Sequence, residues 1–148
     1  MITNQRQYGI TRAELAKFEE ALAQQRASAP SPGVHPRIHQ AMGDAMESEI
    51  VELRAQLQRY DDLQDGRVAS RTLTSLRELP VALIEGRIAA RLTQRELAER
   101  LGVPEQQVQR WEANSYSGVS ADRLQDIADA LGMQLRETVE YAVPTAAH

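Results

Sequence analysis

The run LTQRELAERLGVPEQQVQRWEAN, residues 92–114, limits the folds open to this chain more than any other stretch. Thr93 followed by Glu96 is a capping box, in which each side chain satisfies a backbone amide at a helix start. Leu97, Ala98 and Leu101 share one face of that helix, and the small Ala98 lets a second helix cross closely. Gly102 stands just past the last apolar position, where a left-handed residue without Cβ strain is needed. Val103 plugs the turn, and Pro104 suits the first turn of the next helix, where its missing amide costs nothing. Val108 and Trp111 then face inward, leaving Glu105, Gln106, Gln107, Gln109 and Arg110 outside. Two helices joined by a tight turn are specified residue by residue.

The flanking pattern extends the helical reading in both directions. From Pro80 the period continues through Ile84, Ile88 and Leu92, and after Trp111 through Leu124, Ile127, Ala128 and Leu131. Beyond Gly132, the alternation of Val139, Tyr141 and Val143 predicts a short terminal strand, and pairing with its equivalent in a second copy is one way to satisfy it. Upstream, a capping box at Thr11 and Glu14, with Ile10 and Leu15 as the staple, predicts a first helix starting at Thr11. SAPSPG, residues 28–33, breaks that helix. A longer helix is expected from about Pro36 to about Gln64, with Met42, Met46, Ile50, Leu53, Leu57 and Tyr60 at the spacing of a helix packed along another helix. Asp65-Gly66 ends it, and the connector from Val68 to Leu76 is expected to be extended. The fold class is therefore mainly all-α. An N-terminal helical hairpin over 1–66 serves dimerisation or partner binding, and 67–78 is a connector. Residues 79–148 form a five-helix domain with a C-terminal strand.

Composition narrows function. With 148 residues the chain accommodates one domain, or a small domain plus an accessory segment. Aromatic residues make up 4%, so the core must be aliphatic, and the absence of cysteine excludes disulfides, thiolate metal sites and a cysteine nucleophile. No run approaches the roughly 20 apolar residues of a membrane span, and no secretory signal is evident, so a cytoplasmic protein without membrane partners is expected. The net charge is −4, and residues 80–135 carry six arginines against eight acids. Such a domain cannot hold a polyanion by bulk charge, so any DNA binding must come from local placement of arginines and amides. His35 and His39 are two ligands too few for a metal and are expected to be solvent-exposed. Asp61-Asp62 lies at a helix end without a nucleophile or pocket. Neither an enzyme nor a cofactor is indicated.

Residues 79–135 resemble the helix-turn-helix domain of the Xre family of phage repressors and bacterial regulators. Leu92, Thr93, Gln94, Glu96, Leu97, Ala98, Leu101, Gly102, Val103, Val108 and Glu112 carry the resemblance. Two departures are Pro104 in place of a Ser or Thr cap, and Asn114 in place of a Gly after the second helix. Asn tolerates the left-handed conformation that Gly would supply. The resemblance implies a lambda-repressor-like fold, with Gln94 on a phosphate and Glu105, Gln106, Gln107 and Arg110 in the major groove. Gln109 stands at the edge of that arc, and Tyr116 and Ser117 hold the DNA backbone. The residue chemistry agrees: Gln pairs with an adenine edge, Arg with guanine, and Glu accepts from cytosine while rejecting most other edges. Glu96 and Glu112 are expected to be structural, paired among Arg87, Arg91 and Arg110. An arginine so engaged is lost as a base reader.

More loosely, a helical extension joined to such a domain resembles the longer, HigA-like antitoxins of toxin-antitoxin operons. That resemblance implies a homodimeric repressor of its own operon, acting on an inverted-repeat operator in double-stranded DNA and also binding a toxin. The alternative from a different class is a protein-interaction module whose helix-turn-helix does not bind DNA.

Overall fold

A computed structural model describes residues 1–146. Its helices are α1 (Gln5–Ala27), α2 (Pro36–Gln64), α3 (Leu79–Ala89), α4 (Gln94–Leu101), α5 (Glu105–Ala113) and α6 (Ala121–Ala130). A single 3₁₀ turn (Leu76–Glu78) precedes α3. No strand is present among the described residues, and no helix there is long and apolar enough to cross a membrane.

Helices α1 and α2 form an antiparallel hairpin, as their cross-links show. Tyr8 Oη donates to Asp61 Oδ2 at 3.0 Å, Arg54 pairs with Glu19 at 2.7 Å, and Arg26 with Glu47 at 2.6 Å. Near the connecting loop, Gln25 Nε2 lies 3.0 Å from His39 Nδ1 and donates to its carbonyl. His39 is thereby half-buried rather than solvent-exposed, while His35 caps α2 by accepting from the Arg37 amide. The long helix matches its expected bounds. The first does not: α1 begins at Gln5, capped by Asn4, whose side chain accepts from the Gln7 amide at 2.8 Å. Thr11 therefore sits inside the helix. The extra turn is held because Tyr8 packs on Tyr60, with ring centroids 5.2 Å apart.

The hairpin is docked at one end. Ile2, Leu57, Tyr60 and Leu63 join Leu83, Ile84, Ile88, Leu97, Val108, Ile127 and Ala128 in one continuous core. Two buried carboxylates stitch the elements around it. Glu85 of α3 accepts from Arg59 of α2 at 2.5 Å and from Arg71 of the connector at 2.6 Å. Glu112 of α5 pairs with Arg87 of α3 through two contacts, Nε to Oε2 at 2.8 Å and Nη2 to Oε1 at 2.6 Å. The same guanidinium donates to the Leu92 and Thr3 carbonyls, so α3, α5, the α3–α4 turn and the N-terminal segment meet at one group.

The 67–78 connector forms no helix before the 3₁₀ turn, where Glu78 caps the Thr74 and Ser75 amides, and Ser75 itself is extended at φ −150° and ψ 145°. Two further expectations are corrected. Residues 79–146 hold four helices rather than five. The strand over Val139, Tyr141 and Val143 does not form, since no other segment offers an edge to pair with and an isolated strand leaves its backbone groups unsatisfied. Residues 147–148, the end of the predicted tail, lie outside the described residues.

Truncating one partner of a buried ion pair leaves the other charged and unpaired, at a cost of about 3–5 kcal/mol. Glu112→Ala should therefore destabilise the fold by that amount in urea denaturation. The pair Arg87→Met with Glu112→Leu should recover only part of the loss, because the Thr3 and Leu92 carbonyls still lack their donor.

Candidate nucleic-acid interface

The second helix of the motif is aimed by its turn. The Thr93–Glu96 capping box starts α4 as the spacing predicts, with both reciprocal hydrogen bonds formed. Gly102 ends α4 in the left-handed region at φ 68°, and the Val103 amide returns to the Ala98 carbonyl at 3.0 Å. Pro104 occupies the N-cap position of α5. Leu97, Ala98 and Val108 are fully enclosed where α4 and α5 cross.

With Val108 and Glu112 inward and Trp111 half-buried, the outward face of α5 carries Glu105, Gln106, Gln109 and Arg110, all exposed. Gln107 lies half-buried at the margin. Across one turn, Gln109 Nε2 lies 3.4 Å from Glu105 Oε1. Arg110 makes no ion pair and no side-chain hydrogen bond among the described residues; Glu112, two positions on, faces the opposite side of α5 and pairs with Arg87. Glu96 is not part of any such pair: it is exposed and spends its carboxylate on the Thr93 amide. Gln94 is half-buried at the start of α4 and donates to Glu112 Oε1 at 3.2 Å, so this side chain binds across the motif rather than projecting freely.

The loop after α5 departs most from expectation. Asn114 has φ −96°, and the left-handed positions fall instead on Ser115 and Tyr116, at φ 51° and 53°. This sharp reversal brings the Tyr116 amide to the Trp111 carbonyl at 2.7 Å and folds the ring inward, 6.3 Å from the Trp111 ring. Tyr116 is therefore a core residue and cannot hold a DNA backbone, whereas Ser117 is exposed. The Tyr116 hydroxyl is buried without a partner among the described residues. Burial, reinforced by the nearby Glu112 carboxylate, raises the pKa of this phenol well above its ordinary value, so it stays neutral. A single aromatic among small polar residues was the available sequence signal for a loop plug. Arg123 of α6, overlooked in the sequence, lies over the Trp111 ring at 5.7 Å. Their separation along the chain has no motif to announce it.

The exposed face thus offers amide donors and acceptors, one unengaged guanidinium and one carboxylate, a set suited to base edges rather than to a generic anion. Residues 83–137 match the helix-turn-helix family, of the Xre and lambda-repressor-like type. The class of this segment is therefore a helix-turn-helix domain, and residues 1–82 lie outside the match. No curated protein and no solved structure matches the chain.

An orphaned buried hydroxyl contributes little or costs stability. Tyr116→Phe should leave the thermal midpoint unchanged or raise it, by an amount equivalent to about 1 kcal/mol or less. It should also leave affinity for any DNA ligand unaltered, which a filter-binding titration would check.

Proposed function

We propose that the chain is a sequence-specific, double-stranded DNA-binding transcriptional repressor acting as a homodimer on an inverted repeat. The observation that carries this reading is the outward face of α5, where Gln106 and Arg110 stand exposed together and Arg110 is held in no ion pair among the described residues. Gln106 and Arg110 read base edges, Glu105 rejects sequences lacking a cytosine amino group, and Gln107 and Gln109 line the margins of the groove. Gln94 and Ser117 support the phosphate backbone. Two such helices enter successive major grooves when they lie about 34–36 Å apart, which requires a pseudo-palindromic operator.

In the same reading, residues 79–148 form the DNA-binding part, 67–78 the connector and 1–66 a partner-binding extension. The hairpin supports a second role because its apolar side chains Ile10, Ile38, Met42 and Val51 are exposed. We assign that role to toxin binding by an antitoxin-like autoregulator. A small toxin reading frame beside the gene, and co-purification of its product, would test the assignment. Loss of that binding on Ile38→Asp or Met42→Asp, which leave the shared core intact, would locate it.

Electrophoretic shift with the DNA upstream of the gene tests operator binding. Gln106→Ala and Arg110→Ala should each weaken it by about 1–3 kcal/mol and relax base preference at one position per half-site. Silence of both substitutions would favour the protein-interaction alternative. Because six arginines face eight acids in residues 80–135, few phosphates are neutralised. Log affinity should therefore fall against log salt with a shallow slope, about 0.9 per phosphate contact. Titration at several salt concentrations measures it.

A further inference from the structure

We infer that the cavity between the hairpin and the helix-turn-helix domain is a small-molecule site for a monocarboxylate with one apolar tail, such as a medium-chain fatty acid. The inference does not depend on whether the chain binds DNA. The cavity has a volume of about 320 Å³ and is lined from α2, α3, the connector and the N-terminal segment. Its apolar walls are Met1, Ile2, Ala55, Tyr60, Leu63 and Val81. Ile2, Tyr60 and Leu63 belong to the continuous core, so this part of the wall is fixed in place. Ligand sites are commonly concavities of about 300–1,000 Å³ with apolar walls and a few polar groups that orient the ligand. A volume at the low end of that range is too small for a nucleotide and suits one alkyl chain.

The polar groups select the head group of the ligand. Arg59, Arg71 and Glu85 also line the cavity, and Glu85 accepts from Arg59 Nε at 2.5 Å and from Arg71 Nη1 at 2.6 Å. Two guanidinium groups share one carboxylate, so the junction carries one more positive than negative charge. Asp62 and Glu78, the other acids felt by these arginines, are committed to Arg67 and to the Thr74 and Ser75 amides. A guanidinium presents a planar fork of N–H donors, and each of these spends a single one on Glu85 among the described residues. The Arg59 and Arg71 side chains are 42% and 35% exposed, so their spare donors are reachable from solvent. Such forks match a carboxylate in geometry as well as in charge. The ligand carboxylate therefore sits at the arginines and its tail runs over Tyr60, Leu63 and Val81.

The cavity also adjoins the contact that places α5. Ile2 forms part of its wall, and the carbonyl of the next residue, Thr3, accepts from Arg87 Nη2, the group that pairs with Glu112. A ligand packed on Ile2 holds the N-terminal segment in its seat and so supports the junction of α3 with α5. Binding to this assembled wall and not to the unfolded chain stabilises the fold by mass action.

Octanoate titrated into the full-length protein without DNA is the test. Calorimetry should show saturable binding with a Kd of about 0.1 mM, and the thermal midpoint should rise with octanoate concentration. Nuclear Overhauser effects in the wild-type protein should connect the octanoate methylenes to the Leu63 and Val81 methyl groups. Ala55→Trp, which fills the cavity from the exposed side of α2, should abolish binding while the helical circular dichroism is kept. Arg71→Gln can still donate to Glu85; it should weaken octanoate about tenfold and leave the binding of octanol unchanged. Absence of saturable binding, as expected if a second copy or a partner protein covers the opening, would overturn the proposal. So would octanoate contacts mapped to Ile38 and Met42 instead of the cavity, or an equal loss of octanoate and octanol on Arg71→Gln.

Discussion

The guanidinium of Arg87 is the group on which the arrangement of this chain depends. Both it and the carboxylate of Glu112 are almost wholly buried, with 3% and 2% of their side-chain surfaces exposed. An ion pair so placed is tolerable only when its remaining hydrogen-bonding capacity is filled. Here the filling partners are carbonyls from two other segments, Leu92 and Thr3, with Gln94 adding a donor to the carboxylate. Satisfying one charge therefore fixes four pieces of chain at once. It also fixes how α5 is turned, with Glu112 inward and Arg110 on the opposite, exposed side.

Glu85 does comparable work on the other side of α3, holding Arg59 and Arg71 and so tying the hairpin and the connector to the same helix. α3 thus presents two carboxylate–guanidinium junctions of opposite sense, one where it supplies the acid and one where it supplies the base. The hairpin is joined to the helix-turn-helix by a shared aliphatic core and by directional contacts, which together define its angle of departure.

The parts of the fold legible in the sequence are those governed by neighbouring residues. The Thr93–Glu96 box, the Gly102 turn and the inward Val108 are local, and each appears where the spacing places it. The start of α1 is not legible locally because Asn4 and Thr11 are both competent caps, and the choice between them is made by Tyr60, far along the chain. The inward turn of Tyr116 is hidden for a related reason: two consecutive left-handed residues reverse the loop, and neither is glycine. Of the candidate groove residues, Glu105, Gln106, Gln109 and Arg110 stand exposed together, Gln107 is marginal, and Gln94 is drawn inward by a carboxylate whose partner could be narrowed to three arginines but not chosen among them. The burial of Glu112 was foreseeable; its choice of Arg87 is a tertiary matter.

The contact between Arg87 and the Thr3 carbonyl spans 84 residues. Chains are made from the N-terminus at about 5–20 residues per second, and domains fold as units as they emerge. The hairpin can zip once α2 is made, but Ile2 and Thr3 then have no seat until α3 emerges, and Arg87 has no counter-ion until α5 does. For several seconds the nascent chain therefore carries an open apolar end on an otherwise formed hairpin, and the last third of the protein closes over a beginning that was waiting for it.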